Sequence, residues 1–216
     1  AHRGPVVVNE LIGPKWSNWS EDYKSGQNQF KSPNPRRMIQ LQVRLRSSDP
    51  YRAAEIRSIE VEFDPPLVGQ LSAEIWPVRG VSFDEEKEFT ISVLPKFDST
   101  DPGFDRIKLR SSATAELSLI SVESGSETAL RIGNGRKHWP GEWLVLENNS
   151  DSIDIALPEV IRSGSNVFEF TFRTKIYTNS TTFFVELFNS EKPGITQIAT
   201  EGDVVSALNS QSMVVV

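Results

Sequence analysis

A two-residue alternation of apolar and polar side chains constrains this 216-residue chain more than any other feature. The clearest example is the segment IQLQVRLR at 39–46, which predicts a strand with one buried face and one solvated face. The same alternation recurs at 59–63, 71–75, 89–93, 153–157 and 168–172. No stretch repeats apolar residues at helical spacing over a dozen positions, so the pattern predicts many short strands and very little helix.

Turn-forming residues separate these segments. Proline, glycine, aspartate and asparagine cluster at 64–66, 101–103, 133–135, 140–141, 163–165 and 193–194. About a dozen short strands divided by such turns predict an all-β chain that folds as an antiparallel β-sandwich, of jelly-roll or cohesin-like type.

A proline pair at Pro65 and Pro66 cannot continue a central strand and predicts an internal boundary. The chain then consists of an N-terminal β segment, residues 1–64, and a main sandwich, residues 65–216. The first part either folds separately or completes the core of the second.

Composition excludes several classes of protein. The net charge of −6 argues against a nucleic-acid partner, because such proteins carry a basic patch or stripe. The absence of cysteine excludes disulfides, thiol catalysis and cysteine-ligated zinc. No apolar run approaches the about 18–20 residues that a membrane helix needs, so no membrane insertion is expected.

The order of several segments in the second part of the chain resembles a known family. EKEFTISVLPKF, GFDRIKLRSSATAELSLISVESG, NVFEFTFRTKIYTNSTTFFVEL and SQSMVVV follow one another in that order. Over about residues 67–216 this order resembles the cohesin-like β-sandwich of large secreted and surface proteins of bacteria. SPNPRRMIQLQVRLRSSDP followed by RSIEVEF resembles the late strands of jelly-roll repeats in long secreted bacterial proteins.

This resemblance implies an extracellular or cell-surface location. The chain would be one segment of a larger polypeptide or a subunit of an extracellular assembly. Its partners would be other protein chains or copies of itself.

The segment WSNWS contains two tryptophans, Trp16 and Trp19, in the WSxWS pattern of cytokine-receptor domains. In those domains the tryptophans stack with arginines from a neighbouring strand. Arg44 and Arg46 are two residues apart and would share one strand face, so a Trp–Arg stack is a candidate here. The alternatives are a loop that presents tryptophan to a ligand and tryptophans that simply pack on the sandwich.

A second aromatic loop contains Trp139 and Trp143, with Lys137 and His138 beside them. Sugar-binding sandwiches stack pyranose rings on exposed tryptophans next to polar groups. The alternative is a hairpin whose tryptophans cap the core.

Asp98, Asp101 and Asp105 are closely spaced carboxylates of the type that binds Ca²⁺, the one cofactor that the sequence suggests. Their spacing does not match an EF-hand loop, and solvated turn carboxylates are the alternative.

Two valine runs, 6–8 and 214–216, lie near the ends of the sequence. Exposed edge strands of this composition pair with other chains, whereas strands inside the subunit's own sheets do not.

Catalytic signatures are absent. His2 and His138 are the only histidines, so a Ser-His-Asp triad would have to use His138. We therefore predict a non-catalytic extracellular module with a structural, adhesive or protein-binding role. A carbohydrate-binding module is the first alternative, and a glycan hydrolase with paired carboxylates is the second.

Overall fold

A computed structural model describes residues 19–23, 28, 31, 38–49, 51–113, 115–149, 151–206 and 212–215. The chain divides into two compact units, Ala1–Ala54 and Glu55–Val216. The described residues of the first unit contain no helix or strand. The boundary predicted after residue 64 stays a prediction.

The second unit contains every helix and strand among the described residues. The strands are β1 Gln70–Trp76, β2 Glu86–Lys96, β3 Phe104–Ser111, β4 Ser118–Gly125, β5 Arg136–Trp139, β6 Leu144–Asn148, β7 Ser152–Ile161, β8 Val167–Lys175, β9 Thr181–Phe188, β10 Thr196–Ile198, β11 Thr200–Glu201 and β12 Val214–Val215. One short helix, α1 Glu127–Arg131, is capped by the Ser126 hydroxyl, which accepts from the backbone N–H of Ala129 at 3.2 Å. The sequence pattern did not predict this helix.

The strands form two sheets. The first has the order β11-β1-β2-β8-β4-β5, and the second has the order β10-β9-β3-β7-β6, with β12 paired to β9. Every pairing is antiparallel except that of β1 with β11. The predicted all-β, antiparallel β-sandwich is therefore confirmed.

Phenylalanine side chains fill the space between the two sheets. Phe89 and Phe172 lie opposite each other on β2 and β8, with ring centroids 6.0 Å apart. Phe183 comes from β9 of the second sheet and packs on Phe172 at 5.5 Å. All three rings are buried, and burial of each contributes about 1.5–3 kcal/mol. The rings thus join the two sheets through one continuous apolar layer.

Four of the six alternating segments lie in strands as predicted: 71–75 in β1, 89–93 in β2, 153–157 in β7 and 168–172 in β8. The segments 39–46 and 59–63 do not form strands. The predicted buried face of 39–46 is 47–54 % exposed at Ile39, Leu41, Val43 and Leu45. A strand exists only by pairing with a neighbour, and neither segment pairs within the described part of the chain.

Ion pairs cover the outer face of the second sheet. The Arg106 Nε donates to Asp154 Oδ1 at 2.7 Å, and a second guanidinium nitrogen contacts the other oxygen of the same carboxylate. Two neighbouring pairs are Lys108–Glu147 at 2.8 Å and Arg110–Glu186 at 2.6 Å. The charged side chains of this face are therefore paired with one another.

Gly103 directly precedes β3 and lies close to the end of β7. Its φ is +79°, and a Cβ at this position would lie 2.2 Å from the backbone oxygen of Ile161. Its N–H donates to the carbonyl of Leu67 at 2.9 Å. Only glycine combines this backbone conformation with so close a contact.

We expect Gly103→Ala to lower the free energy of unfolding by about 2–5 kcal/mol, because left-handed strain adds to a steric clash. Gly80→Ala is the matched control, since Gly80 has a φ of +67° and no heavy atom within 4 Å of the added Cβ. That variant should lose only the strain, about 1–2 kcal/mol. Urea unfolding of both variants measures the difference, and equal losses would contradict a clash at Gly103.

Candidate functional site

A cavity of about 480 Å³ opens between the two sheets, where β2, β4 and β7 end and β8 begins. This volume falls within the range of about 300–1,000 Å³ that is typical of small-ligand sites. Its apolar wall comes from strand-end residues of both sheets, Phe97, Leu157, Ile161 and Phe168 among them. The cavity is thus an extension of the inter-sheet core towards solvent.

Polar side chains with fixed geometry line the same cavity. The Arg136 Nη2 donates to both carboxylate oxygens of Glu142, at 2.7 and 3.0 Å. This hydrogen-bonded contact raises the pKa of Arg136 and lowers the pKa of Glu142. The amides of Asn134 and Asn166 and the carboxylate of Glu159 complete the polar lining.

A buried histidine lies at the junction of the polar and apolar parts. His138 is 6 % exposed, and its ring stacks on Trp143 with centroids 4.2 Å apart. Its Nε2 lies 2.7 Å from the Ser124 hydroxyl oxygen. Burial, followed by the positive charge of Arg136, lowers the pKa of His138, so its ring is neutral at pH 7.

The Ser124–His138 pair lacks the third member of a catalytic triad. In a triad a carboxylate holds the second ring nitrogen, whereas the Nδ1 of His138 has no hydrogen-bond partner in the described part of the chain. A paired-carboxylate hydrolase needs one carboxyl group with a raised pKa as its acid. The pKa of Glu142 is shifted in the opposite direction.

The two tryptophans predicted to stack on a sugar do not form an exposed platform. Trp143 is 5 % exposed, and Trp139 is partly buried against the core. The core-capping alternative therefore describes Trp143, whose ring also forms part of the cavity wall. A binding role for Trp139 and Trp143 stays a prediction, and of the two only Trp143 lines the cavity.

The predicted Trp–Arg stack falls partly outside the described residues, because Trp16 is not among them. Trp19 is 44 % exposed, and Arg44 and Arg46 are exposed. Cation–π contacts among the described residues are Lys31–Tyr23, Arg106–Phe188 and Arg110–Phe184. Neither Arg44 nor Arg46 stacks on Trp19, and a binding role for these residues stays a prediction.

Two of the three aspartates proposed for calcium accept hydrogen bonds from backbone N–H groups of neighbouring loops. The Asp101 carboxylate accepts from the backbone N–H groups of Gly69 and Asp98, at 2.6 Å each. The Asp105 carboxylate accepts from the N–H of Ser190 at 2.9 Å. Over the described ranges, no three acidic or histidine side chains gather into a cation site. Calcium binding by Asp98, Asp101 and Asp105 stays a prediction.

The second valine run pairs within its own subunit. Val214 and Val215 form β12, which lies antiparallel to Thr182 and Thr181 of β9. The first run, 6–8, lies outside the described residues. None of the helical residues that the structure describes makes a helix long and apolar enough to span a membrane.

No feature of the sequence indicates the cavity or the Ser124–His138 pair. Ser124 and His138 are 14 residues apart and meet because β4 and β5 are neighbours in the first sheet. Glycines in the intervening turns indicate a hairpin, but they do not indicate which side chains face each other.

No protein-family model matches this chain, and no curated protein matches it. Among solved structures, it is similar to a DUF4466 family protein from Parabacteroides merdae, with 12 % identity, a TM-score of 0.40, and coverage of 61 % of this chain and 42 % of that one. The major pilin subunit of Bacillus cereus has 10 % identity, a TM-score of 0.36, and coverage of 62 % and 41 %. A collagen-binding domain from a Staphylococcus aureus adhesin has 10 % identity, a TM-score of 0.28, and coverage of 60 % and 93 %.

This chain spans less than half the length of the first two of these proteins. The β-sandwich fold of this chain rests on its own strand pairing, and its resemblance to cohesin-like domains stays a prediction. TM-scores this low carry nothing about function.

A second buried titratable group lies on the outer side of the first sheet. Glu74 of β1 is fully buried beside Val204 and Val205. Its Oε1 accepts from the N–H of Val205 at 2.6 Å, whereas Oε2 has no partner in the described residues. Burial raises the pKa of Glu74 from 4.5 to about 6, with nearby Asp203 and Glu127 adding to the rise.

This shift has a definite sign for stability. The folded chain holds the Glu74 proton more tightly than the unfolded chain, so stability falls as pH rises from about 4.5 to about 6. We expect Glu74→Gln to raise the free energy of unfolding by up to about 2 kcal/mol at pH 7.5, because the amide carries no charge to desolvate. The gain should disappear near pH 4.

Urea unfolding between pH 4 and pH 8 measures this effect. Glu85→Gln is the matched control, since Glu85 is exposed. A pH dependence that is the same in Glu74→Gln and in the parent chain would contradict the assignment.

Proposed function

We propose that this chain is a non-catalytic extracellular module that binds other protein chains, beginning with further copies of itself, by adding a β-strand to an open sheet edge. One observation carries the proposal: the segment 39–46 has the sequence of a half-buried strand, yet it has no strand partner among the described residues and its apolar side chains are about half exposed.

The alternation in this segment defines two chemically different faces. In an extended chain Leu41 and Val43 point to one side, and Gln40 and Gln42 point to the other. An exposed apolar row of this kind is stabilised when another surface covers it, at about 25 cal/mol for each Å² removed from water. The backbone also needs a partner, and an added strand supplies hydrogen bonds and apolar contacts together.

An acceptor edge of matching chemistry is present in the sandwich. Among the residues that the structure describes, β6 pairs only with β7 and ends the second sheet. Its Leu144 and Leu146 are 63 % and 49 % exposed. An open edge with exposed leucines is a surface to which strands from other chains add.

The extracellular location rests on the sequence resemblance to cohesin-like and jelly-roll modules of secreted bacterial proteins. The non-catalytic role is supported by the unpartnered Nδ1 of His138 and the lowered pKa of Glu142. The lowered pKa of Glu142 does not suit the acid of a paired-carboxylate hydrolase.

We expect the purified chain to form dimers or larger assemblies in solution. Leu41→Lys with Val43→Lys should abolish this association, because two charges would enter the buried side of the added strand. The matched control is Gln40→Lys with Gln42→Lys, which adds the same charge to the opposite face and should leave assembly intact. Light scattering over a concentration series measures the mass of each variant.

Hydrogen exchange distinguishes strand addition from other modes of association. The amides of 39–46 should be protected in the assembled chain and exposed in the lysine variant of the apolar face. A monomeric parent chain, or equal losses in the two lysine pairs, would count against the proposal.

A further inference from the structure

We infer that the cavity beside His138 and Trp143 is a binding site for a neutral saccharide unit. This inference is independent of the proposed strand addition, because it rests on the interior of the sandwich and uses none of the residues 39–46.

The charge of the lining disfavours an anion. Arg136 is neutralised by Glu142, with both carboxylate oxygens in hydrogen-bond contact. Glu159 adds a further negative charge, and His138 is neutral because burial lowers its pKa. A phosphate or carboxylate would therefore meet net negative charge, with no free cation to bind it.

A purely apolar ligand is also disfavoured. It would displace water from the carboxylate of Glu142 and the amides of Asn134 and Asn166 without replacing their hydrogen bonds. Leaving such groups unpaired costs about 1–3 kcal/mol each.

A saccharide satisfies both parts of the lining. Its hydroxyl groups both donate and accept, so they can pair with carboxylate, amide and guanidinium groups, which are planar and fixed in orientation. Its C–H faces can pack on the apolar wall of Phe97 and Phe168. The Arg136–Glu142 pair presents a guanidinium and a carboxylate side by side at the solvent-facing part of the cavity.

The test is ligand-observed NMR and calorimetry on the full chain. The probes are methyl glycosides of glucose, galactose, mannose and N-acetylglucosamine, with inorganic phosphate and lysine amide as charged probes. We expect at least one glycoside to bind the parent chain more tightly than phosphate does.

Two variants locate the site. Ser163→Phe places a large ring at a lining position and should weaken glycoside binding at least about tenfold, the equivalent of about 1.4 kcal/mol. Ser180→Phe puts the same ring on an exposed turn outside the cavity and should leave the affinity unchanged. Urea unfolding of both variants confirms that they fold.

Glu142→Gln gives a second readout that does not depend on filling the cavity. It removes a hydrogen-bonded carboxylate and leaves Arg136 without its counter-charge, so glycoside binding should weaken and phosphate binding should appear. Glu85→Gln, at an exposed position outside the cavity, should change neither.

Three outcomes would overturn the inference. No glycoside binds the parent chain, or phosphate or lysine amide binds it more tightly than every glycoside, or Ser163→Phe and Ser180→Phe bind a glycoside equally well. Because the parent chain's assembly is measured separately, failure here leaves the strand-addition proposal unaffected.

Discussion

The packing of phenylalanine rings between the two sheets is the interaction on which the rest of the structure depends. Phe89 and Phe172 meet across neighbouring strands of one sheet, and Phe183 of the other sheet closes against both. Because side chains alternate along a strand, fixing these rings inward fixes their neighbours outward. The position of Phe172 therefore also sets Thr171 and Arg173 on the outer face. A shift of one residue would exchange the two faces and expose the apolar layer.

The cavity forms where this aromatic layer reaches the end of the sandwich. Phe168 contacts Phe104 on its inner side, with centroids 6.0 Å apart, and Trp143 towards the cavity, at 5.8 Å. Trp143 in turn carries His138 on its face. Trp143, which borders the cavity, is thus positioned by the same packing that stabilises the fold. That connection explains why a buried tryptophan borders the site in place of an exposed one.

The segments 39–46 and 59–63 have the same alternation as the strands of the sandwich but remain unpaired. Alternation predicts which face of a strand is buried, but it does not predict which surface covers that face. In β2 and β8 the opposite sheet supplies them, through Phe183 and its neighbours. At Ile39 and Val43 nothing in the described residues does, and those side chains are about half exposed. The contrast is the physical basis for proposing that 39–46 contacts other chains.

The sequence by itself determined the all-β class, the strands β1, β2, β7 and β8, and the turns that separate them, because these features depend on neighbours within a few residues. Only the tertiary structure decided which strands are adjacent, and several properties follow from adjacency alone. Ser124 reaches His138 across β4 and β5, Glu74 is buried beside a segment 131 residues further along the chain, and Asp101 accepts a hydrogen bond from the backbone of Gly69. The adjacency of strands also buries Trp143. Long-range strand pairing depends on the packing of the whole core, and a local pattern of residues does not predict it.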